Sequence, residues 1–427
     1  MKLYLSGPPK RTLNSSLNIT GSKSESNRLL LLQARYPNIT IENLSNSDDA
    51  AVMQRGLQIS KGEVDIHHAG TAMRFLTAYF ATEEGKAVTL TGSQRMQERP
   101  VAVLVKALQD LGAEITYTKN EGYPPIHIRG KQLRKQRVSL PADISSQYIS
   151  ALLLVAPGLE EGLELELVGQ ITSIPYIKMT LGLLEQLGIA HSFEGNIIKV
   201  KPWKTVPDTV LVVESDWSSA SYFYSIVALC EPGTELTLSS YKKDSLQGDS
   251  VLAEIYRCFG VDTRFGENSI LLRKGGGTVP ARSELDVAAT GKRGYSADEG
   301  LHLELTNAPD LAQTIAVTCF GLGLGCDLTG LHTLKIKETD RLEALKHELT
   351  KLGARISVTH KSLRLEPSEG ILKDVAIDTY NDHRMAMAFA PLALRTSLYI
   401  NDAEVVSKSY PDYWKDLQSL QFRIKTC

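Results

Sequence analysis

The chain has no apolar run of membrane-spanning length, no excess of either charge, and no pair of histidines or cysteines at metal-ligand spacing. The first absence argues against a spanning helix. Forty-seven Lys and Arg against 49 Asp and Glu leave a formal net charge of −2. No global basic field is available for nucleic acid or an acidic membrane, so any anion must be held by a local cluster. Five cysteines (Cys230, Cys258, Cys319, Cys326, Cys427) are an odd count, read as reduced thiols serving mostly as core packing. The opening stretch MKLYLSGPPKRTLNSSL has neither the apolar segment of a signal peptide nor the Arg/Ser character of a transit peptide. The expectation is a soluble, cytoplasmic protein with no metal, no membrane partner and no nucleic-acid partner.

What is present is size and a repeat. At 427 residues and 42% hydrophobic, the chain suffices for two domains with real cores. Four segments share one shape, a helical pattern closing on Leu-Gly or Phe-Gly followed by strand, turn and strand: VKALQDLGAEITYTKNEGYPPIHIRG, LGLLEQLGIAHSFEGNIIKVKP, AEIYRCFGVDTRFGENSILLRKG and LKHELTKLGARISVTHKSLRLEP. Their glycines, Gly112, Gly188, Gly260 and Gly353, stand where a helix C-terminus favours positive φ. Each is preceded by a polar or Gly-rich start to an apolar helix, at GTAMRFLTAYF, ISSQYISALLL, WSSASYFYSIV and PDLAQTIAVTCF. From Thr71, Ser145, Ser218 and Asp310 the glycine follows after 41, 43, 42 and 43 residues. GSKSESNRLLLLQA and YNDHRMAMAFAPLAL are two more such starts, making six units, three per domain. The unit begun at Lys23 is short, and the sixth runs out before a second helix and hairpin. The strand-like segments KLYLSG and LNITG are therefore expected to complete the domain that ends the chain. The division expected is residues 22–215 for one domain and 1–21 with 216–427 for the other.

The charges at these helix starts are unusual. A helix N-terminus favours acids and caps, yet Lys23, Arg28, Arg74, His383 and Arg384 crowd into them, which suits an arriving anion that uses side chains and free N–H groups together. Ser24 and Arg28 are four apart, as are Lys337 and Arg341, so each pair is expected to share a helical face. Plainer readings exist for each residue alone. Ser22, Ser145, Ser218 and Asp382 read as N-caps, KETDRLE as a solvated helix face, and His68 and His383 as structural. Trp203 and Trp217 read as packing residues. RKGGGTV at 273–279 lacks the Lys-Ser/Thr and helix of a phosphate loop and reads as a turn.

The motifs in combination settle more. GSKSESNR, AGTAMR, QRMQERP, SSQ, SIPY, Pro309-Asp310, KETDR, TYNDHRMAM and KSYPDYW occur in this order. Together they closely resemble the 5-enolpyruvylshikimate-3-phosphate synthase family over nearly the whole chain. The resemblance implies an α/β (α+β) fold, the inverse-barrel enolpyruvyl transferase architecture: two globular domains, each of three βαβαββ-type repeats with pseudo-threefold symmetry. It implies transfer of the enolpyruvyl group of phosphoenolpyruvate to the 5-hydroxyl of shikimate 3-phosphate, with release of phosphate and no metal or organic cofactor, by a monomer. Carried over residue by residue, Lys23, Ser24, Arg28, Ser145, Ser146, Gln147, Ser173, Tyr176, Asp310 and Lys337 would hold shikimate 3-phosphate. Lys23, Gly70, Arg99, Gln147, Arg341, Arg384 and Lys408 would surround phosphoenolpyruvate, with Gly70 allowing close approach. One group must take the hydroxyl proton and another must protonate the methylene carbon. By the same resemblance Asp310 is the base, and Glu338, with Lys23, serves the methylene carbon.

Departures are local. His68 and Phe75 stand where the family usually has Asn and Pro, and Ser215-Asp216-Trp217 replaces its Gly-Asp-Ala. The first unit is about two dozen residues short by that comparison, so an edge hairpin is expected to be missing. Among rivals, the UDP-N-acetylglucosamine enolpyruvyl transferases usually carry a reactive cysteine where QRMQERP has none. RNA 3′-terminal phosphate cyclase would sit poorly with the balanced charge. A non-catalytic anion receptor would gain nothing from Asp310 and Glu338.

Overall fold

The computed structural model describes residues 1–142, 145–276 and 300–427, with two short strands, Arg282–Ser283 and Tyr295–Ser296, between the last two stretches. It divides into two compact units, Gly21–Val213 and Met1–Thr20 with Glu214–Cys427. Residues 277–279 of the glycine-rich turn lie outside the described residues.

Within Gly21–Val213, two sheets share one ladder. Lys61–Asp65 runs parallel to Ala87–Thr91, and Ile126–Arg129 and then Glu114–Tyr117 add antiparallel. Arg137–Pro141, Leu163–Val168, Ile197–Val200 and His191–Glu194 repeat that order. The third sheet has only the parallel pair, Ile39–Glu42 with Thr209–Val212, among the described residues. Where the other two sheets have a helix-capped hairpin, this repeat passes from the Asp48–Gln58 helix directly to the next sheet's first strand. Near the end of that helix, Gly56 packs closely on the following helix: a Cβ there would stand 2.6 Å from the Leu76 side chain.

The other unit contains the complete ladder three times. Asn14–Leu17 lies parallel to Glu235–Ser239, which continues into Ser269–Lys274 and Val261–Phe265. Gly300–Glu304 lies parallel to Cys326–Thr329, followed by Leu363–Leu365 and Ile356–Val358. The last set is Val375–Ile377, Leu398–Ile400, Leu3–Ser6 and Arg423–Thr426. As expected, the N-terminal segment KLYLSG completes this domain, but the sixth repeat does not lack its second helix, Tyr413–Ser419. It builds its hairpin from the final strand and the first strand of the chain.

The core helices explain how each unit exposes a site. A helix apolar on every side must be buried on every side. The Gly70–Thr82 helix is buried except for Thr71 and Thr82, Ser146–Val155 except for Gln147, and Trp217–Leu229 except for Ser218. His383–Phe389 is buried throughout. Thr71, Gln147 and Ser218, each in the first turn of its helix, are thus polar groups left accessible at these helix starts. The four helix-ending glycines all have positive φ, between 72° and 110°, as their position requires. Four of the five cysteines are buried free thiols, and Cys427 is exposed. Trp217 is fully buried, but Trp203 is 37% exposed and is not a core residue.

Candidate active site

Each unit gathers charged side chains at its helix N-termini, in two different ways. In Gly21–Val213, Ser22 caps the Lys23–Arg35 helix by accepting from the Glu25 N–H. One turn in, Arg28 is buried and held by four hydrogen bonds. Its Nε donates to Thr180 Oγ1 at 2.8 Å, Nη1 to the Ser24 carbonyl at 2.8 Å, and Nη2 to Ser150 Oγ at 2.9 Å and the Tyr176 carbonyl at 3.4 Å. The Phe75 and Tyr176 ring centroids stand 5.3 and 6.0 Å from its guanidinium carbon. Burial lowers the Arg28 pKa to about 10, partly offset by Tyr176 and Glu25. Phe75 is thus no loose replacement for the usual residue; it packs its ring against this arginine.

Lys23 lies 3.2 Å from Asp49 Oδ2, a buried carboxylate on the next helix. Sequence reasoning missed Asp49, because two acids after a capping serine are ordinary dipole partners and carry no further signal. Gly70 has a specific neighbour: a Cβ there would meet Arg99 Nη1 at 2.7 Å, so only glycine lets this guanidinium lie on the helix start. Arg74 turns inward and donates to the Gly70 and Pro100 carbonyls. Gln147 Nε2 reaches Thr71 Oγ1 at 3.2 Å, joining two of these N-termini. Ser145 caps the helix that Ser146 and Gln147 open. Ser173, in the left-handed region at φ 55°, precedes the helix carrying Tyr176 and Thr180.

In the other unit the charges neutralise one another. Arg341 is 2% exposed and is encircled by carboxylates. Its Nε donates to Asp382 Oδ2 at 2.6 Å, Nη1 to Asp310 Oδ1 at 2.8 Å and Nη2 to Glu338 Oε2 at 2.9 Å. Arg384 Nη2 reaches Asp310 Oδ2 at 3.2 Å, Lys337 Nζ lies 3.6 Å from Asp310 Oδ1, and Lys408 Nζ lies 3.3 Å from Glu338 Oε1. Burial would raise the Asp310 pKa, but Lys337, Arg384 and Arg341 outweigh it and hold the carboxyl well below the usual range. The same carboxylates push Arg341 upward against the effect of burial. Lys337 is lowered by burial, with Asp310 opposing.

Two local expectations change. Lys337 and Arg341 do not share a helical face, because the helix begins only at Arg341. Lys337 and Glu338 belong to the segment before it, and Asp340 is the N-cap, accepting from Leu342 and Glu343 N–H at 3.2 Å. Ser218 is not a cap either; Asp216 holds that place, and Ser218 is the second helical residue. Asp382 does cap its helix, while its second oxygen takes Arg341. Among the described residues no group of three His, Cys, Asp or Glu side chains is placed to hold a metal ion.

Known proteins resemble the chain over its whole length. Two structures of EPSP synthase from Acinetobacter baumannii superpose on the chain with TM-score 0.77, covering 100% of both chains at 21% and 20% identity, which shows the two-domain enolpyruvyl transferase fold. The family model of EPSP synthase (3-phosphoshikimate 1-carboxyvinyltransferase) matches residues 38–417. A 3-phosphoshikimate 1-carboxyvinyltransferase of Bacteroides fragilis strain YCH46 is 42% identical, covering 100% of this chain and 99% of its own. One from Psychromonas ingrahamii is 36% identical over 96% and 98%. The chain belongs to the EPSP synthase family. No helix is long and apolar enough to cross a membrane among the described residues.

Proposed function

We propose that the chain transfers the enolpyruvyl group of phosphoenolpyruvate to the 5-hydroxyl of shikimate 3-phosphate, acting as a 3-phosphoshikimate 1-carboxyvinyltransferase in aromatic amino-acid biosynthesis. The observation that carries this reading is the ring of Asp310, Glu338 and Asp382 around Arg341. A receptor for anions has no use for three carboxylates among its cations, whereas addition and elimination at an enol ether need groups that take and give protons.

In the reaction as we assign it, the hydroxyl oxygen bonds to C2 of phosphoenolpyruvate while its proton is lost and C3 gains one. The tetrahedral intermediate then loses phosphate as a methyl proton leaves. Asp310, kept ionised by Lys337, Arg384 and Arg341, is assigned as the base at the hydroxyl. Glu338, between Arg341 and Lys408, is assigned to the methylene carbon together with Lys23. Ser24, Arg28, Ser145, Ser146, Gln147, Ser173, Tyr176 and Lys337, with Lys23 and Asp310, are assigned to shikimate 3-phosphate. Gly70, Arg99, Arg341, Arg384 and Lys408, with Lys23 and Gln147, are assigned to phosphoenolpyruvate. Charge-assisted hydrogen bonds of this kind contribute roughly 1.5–3 kcal/mol each. We further assign three repeats to each unit, the first of them shortened, and propose a cytoplasmic monomer acting on small molecules alone.

The test is phosphate release from phosphoenolpyruvate with shikimate 3-phosphate, with UDP-N-acetylglucosamine, and with neither. Release that depends on shikimate 3-phosphate and yields an enolpyruvyl ether is expected. Release only with the nucleotide sugar, or none with either acceptor, overturns the reading. The nucleotide-sugar alternative is disfavoured because residues 93–100 contain no cysteine.

A further inference from the structure

Arg384 is held from two directions. Its Nη2 is shared between Asp310 Oδ2 and Ser218 Oγ, each at 3.2 Å. The Ser218 hydroxyl has only one proton, and it donates that proton to Asp249 Oδ2 in a short hydrogen bond. Its lone pairs therefore face the guanidinium. Asp249 is 5% exposed and stands on the Gly248–Val251 turn. That turn is fixed to the start of the Trp217–Leu229 helix by its neighbour Gln247, which accepts from the Trp217 N–H at 2.9 Å and donates to the Ser215 carbonyl at 2.9 Å. Buried Glu214 completes the clamp by accepting from Trp217 Nε1 at 2.7 Å and from Ser245 Oγ at 2.6 Å.

We propose that Ser218 and Asp249 are positioning residues: Asp249 fixes the Ser218 hydroxyl as an acceptor, and Ser218 in turn orients Arg384 toward the anion it binds. This rests on the assignment of Arg384 to phosphoenolpyruvate made above. Without the hydroxyl, this Nη2 keeps the Asp310 carboxylate as a charged acceptor. The guanidinium would then close on the carboxylate, and the incoming anion would have to compete with it. The groups facing Asp249 are Arg384, Asp310, Asp216 and Ser218. Burial raises its carboxyl to about 6, against the pull of Arg384, so the buried carboxylate is held at a cost that a purely structural turn does not require.

The experiment is a double-mutant cycle on the full chain, with Ser218→Ala, Asp249→Ala and the pair. Phosphoenolpyruvate affinity is measured by titration calorimetry in the presence of shikimate 3-phosphate, alongside the KM and kcat of phosphate release. Each single variant is expected to weaken phosphoenolpyruvate binding about tenfold, the effect of one hydrogen bond, while the KM for shikimate 3-phosphate stays within about twofold. The double variant should be no worse than either single one. Asp249→Asn, which keeps an acceptor for the hydroxyl, should recover most of the loss. Additive losses, an unchanged affinity in Ser218→Ala, or equal damage to both substrates would overturn the proposal. If the unaltered protein binds phosphoenolpyruvate without releasing phosphate, the functional reading fails while the cycle still decides this one. If it does not bind phosphoenolpyruvate at all, both fail.

Discussion

Arg28 and Arg341 are both buried arginines at the start of a helix, and they are held in opposite ways. Arg28 spends its donors on hydroxyl and carbonyl oxygens of Ser24, Ser150, Tyr176 and Thr180. Arg341 spends its donors on the carboxylates of Asp310, Glu338 and Asp382. Neutral dipoles orient a cation without cancelling its charge, so Arg28 keeps a positive charge with a pKa already lowered by burial. Carboxylates cancel the charge but bring groups that handle protons. One unit thus holds its buried arginine among neutral oxygens, and the other holds its own among carboxylates; on the assignment proposed above, the first presents charge for binding and the second holds it in balance for chemistry.

The sharpest way to break that contrast is to remove each guanidinium in turn. Arg341→Met leaves three carboxylates without their common partner, a change of the class that costs about 3–5 kcal/mol. Urea unfolding should show that loss, and turnover should vanish. Arg341→Lys, which restores a charge but not the fork, should recover part of the stability and little of the rate. Arg28→Met strands no charge, and Thr180 Oγ1 already bonds Ser150 Oγ at 3.0 Å. Its stability cost should be only about 1–2 kcal/mol, while the KM for shikimate 3-phosphate rises at least about tenfold. If the two losses of stability were equal, the distinction between the two sites would be wrong.

Titration sharpens the comparison within one unit. The Asp310 pKa is depressed, so its contribution to stability is present above about 4 and is lost as pH falls. Asp249 has the reverse sign. Its pKa is raised to about 6 by burial, so its favourable contribution is present below about 4 and is lost as pH rises through 6. With Arg384, Asp310 and Asp216 around it, the effect on unfolding should be on the order of 1–3 kcal/mol. The stability of the unaltered protein relative to Asp249→Asn should therefore decline between pH 4 and pH 7. A flat difference across that range would show that burial does not penalise this carboxylate.

How much of this could be read from sequence differs by type of feature. The six helix starts and the positive-φ glycines were legible because each is a local requirement repeated at one spacing. The motif residues were legible through resemblance, yet their local roles were not. KETDR looks like a helical face, but the helix begins only after its cap Asp340, and Lys337 reaches Asp310 from the segment before it. Asp49 and Asp249 gave no signal, since a buried acid is recognisable only through partners distant in sequence: Lys23 for one and Ser218 for the other. In the sixth repeat the joining of the two termini was legible in the strand-like KLYLSG, but its second helix, Tyr413–Ser419, was not. The hairpin of that repeat pairs Leu3–Ser6 with Arg423–Thr426, a contact between the two ends of the chain.

The smallest expected effect tests what orients Arg28. Phe75 is fully buried with its ring 5.3 Å from the guanidinium carbon, a geometry that contributes about 0.5–2 kcal/mol when desolvated. Four hydrogen bonds already fix the guanidinium plane, so the ring adds packing and some electrostatic attraction but no direction of its own. Phe75→Leu should therefore lower stability by about 1 kcal/mol and move the KM for shikimate 3-phosphate by less than about threefold. A change in KM as large as that of Arg28→Met would transfer the orienting role from the neutral oxygens to the aromatic face. Arg28 would then be steered by a residue in which this chain departs from the usual family pattern.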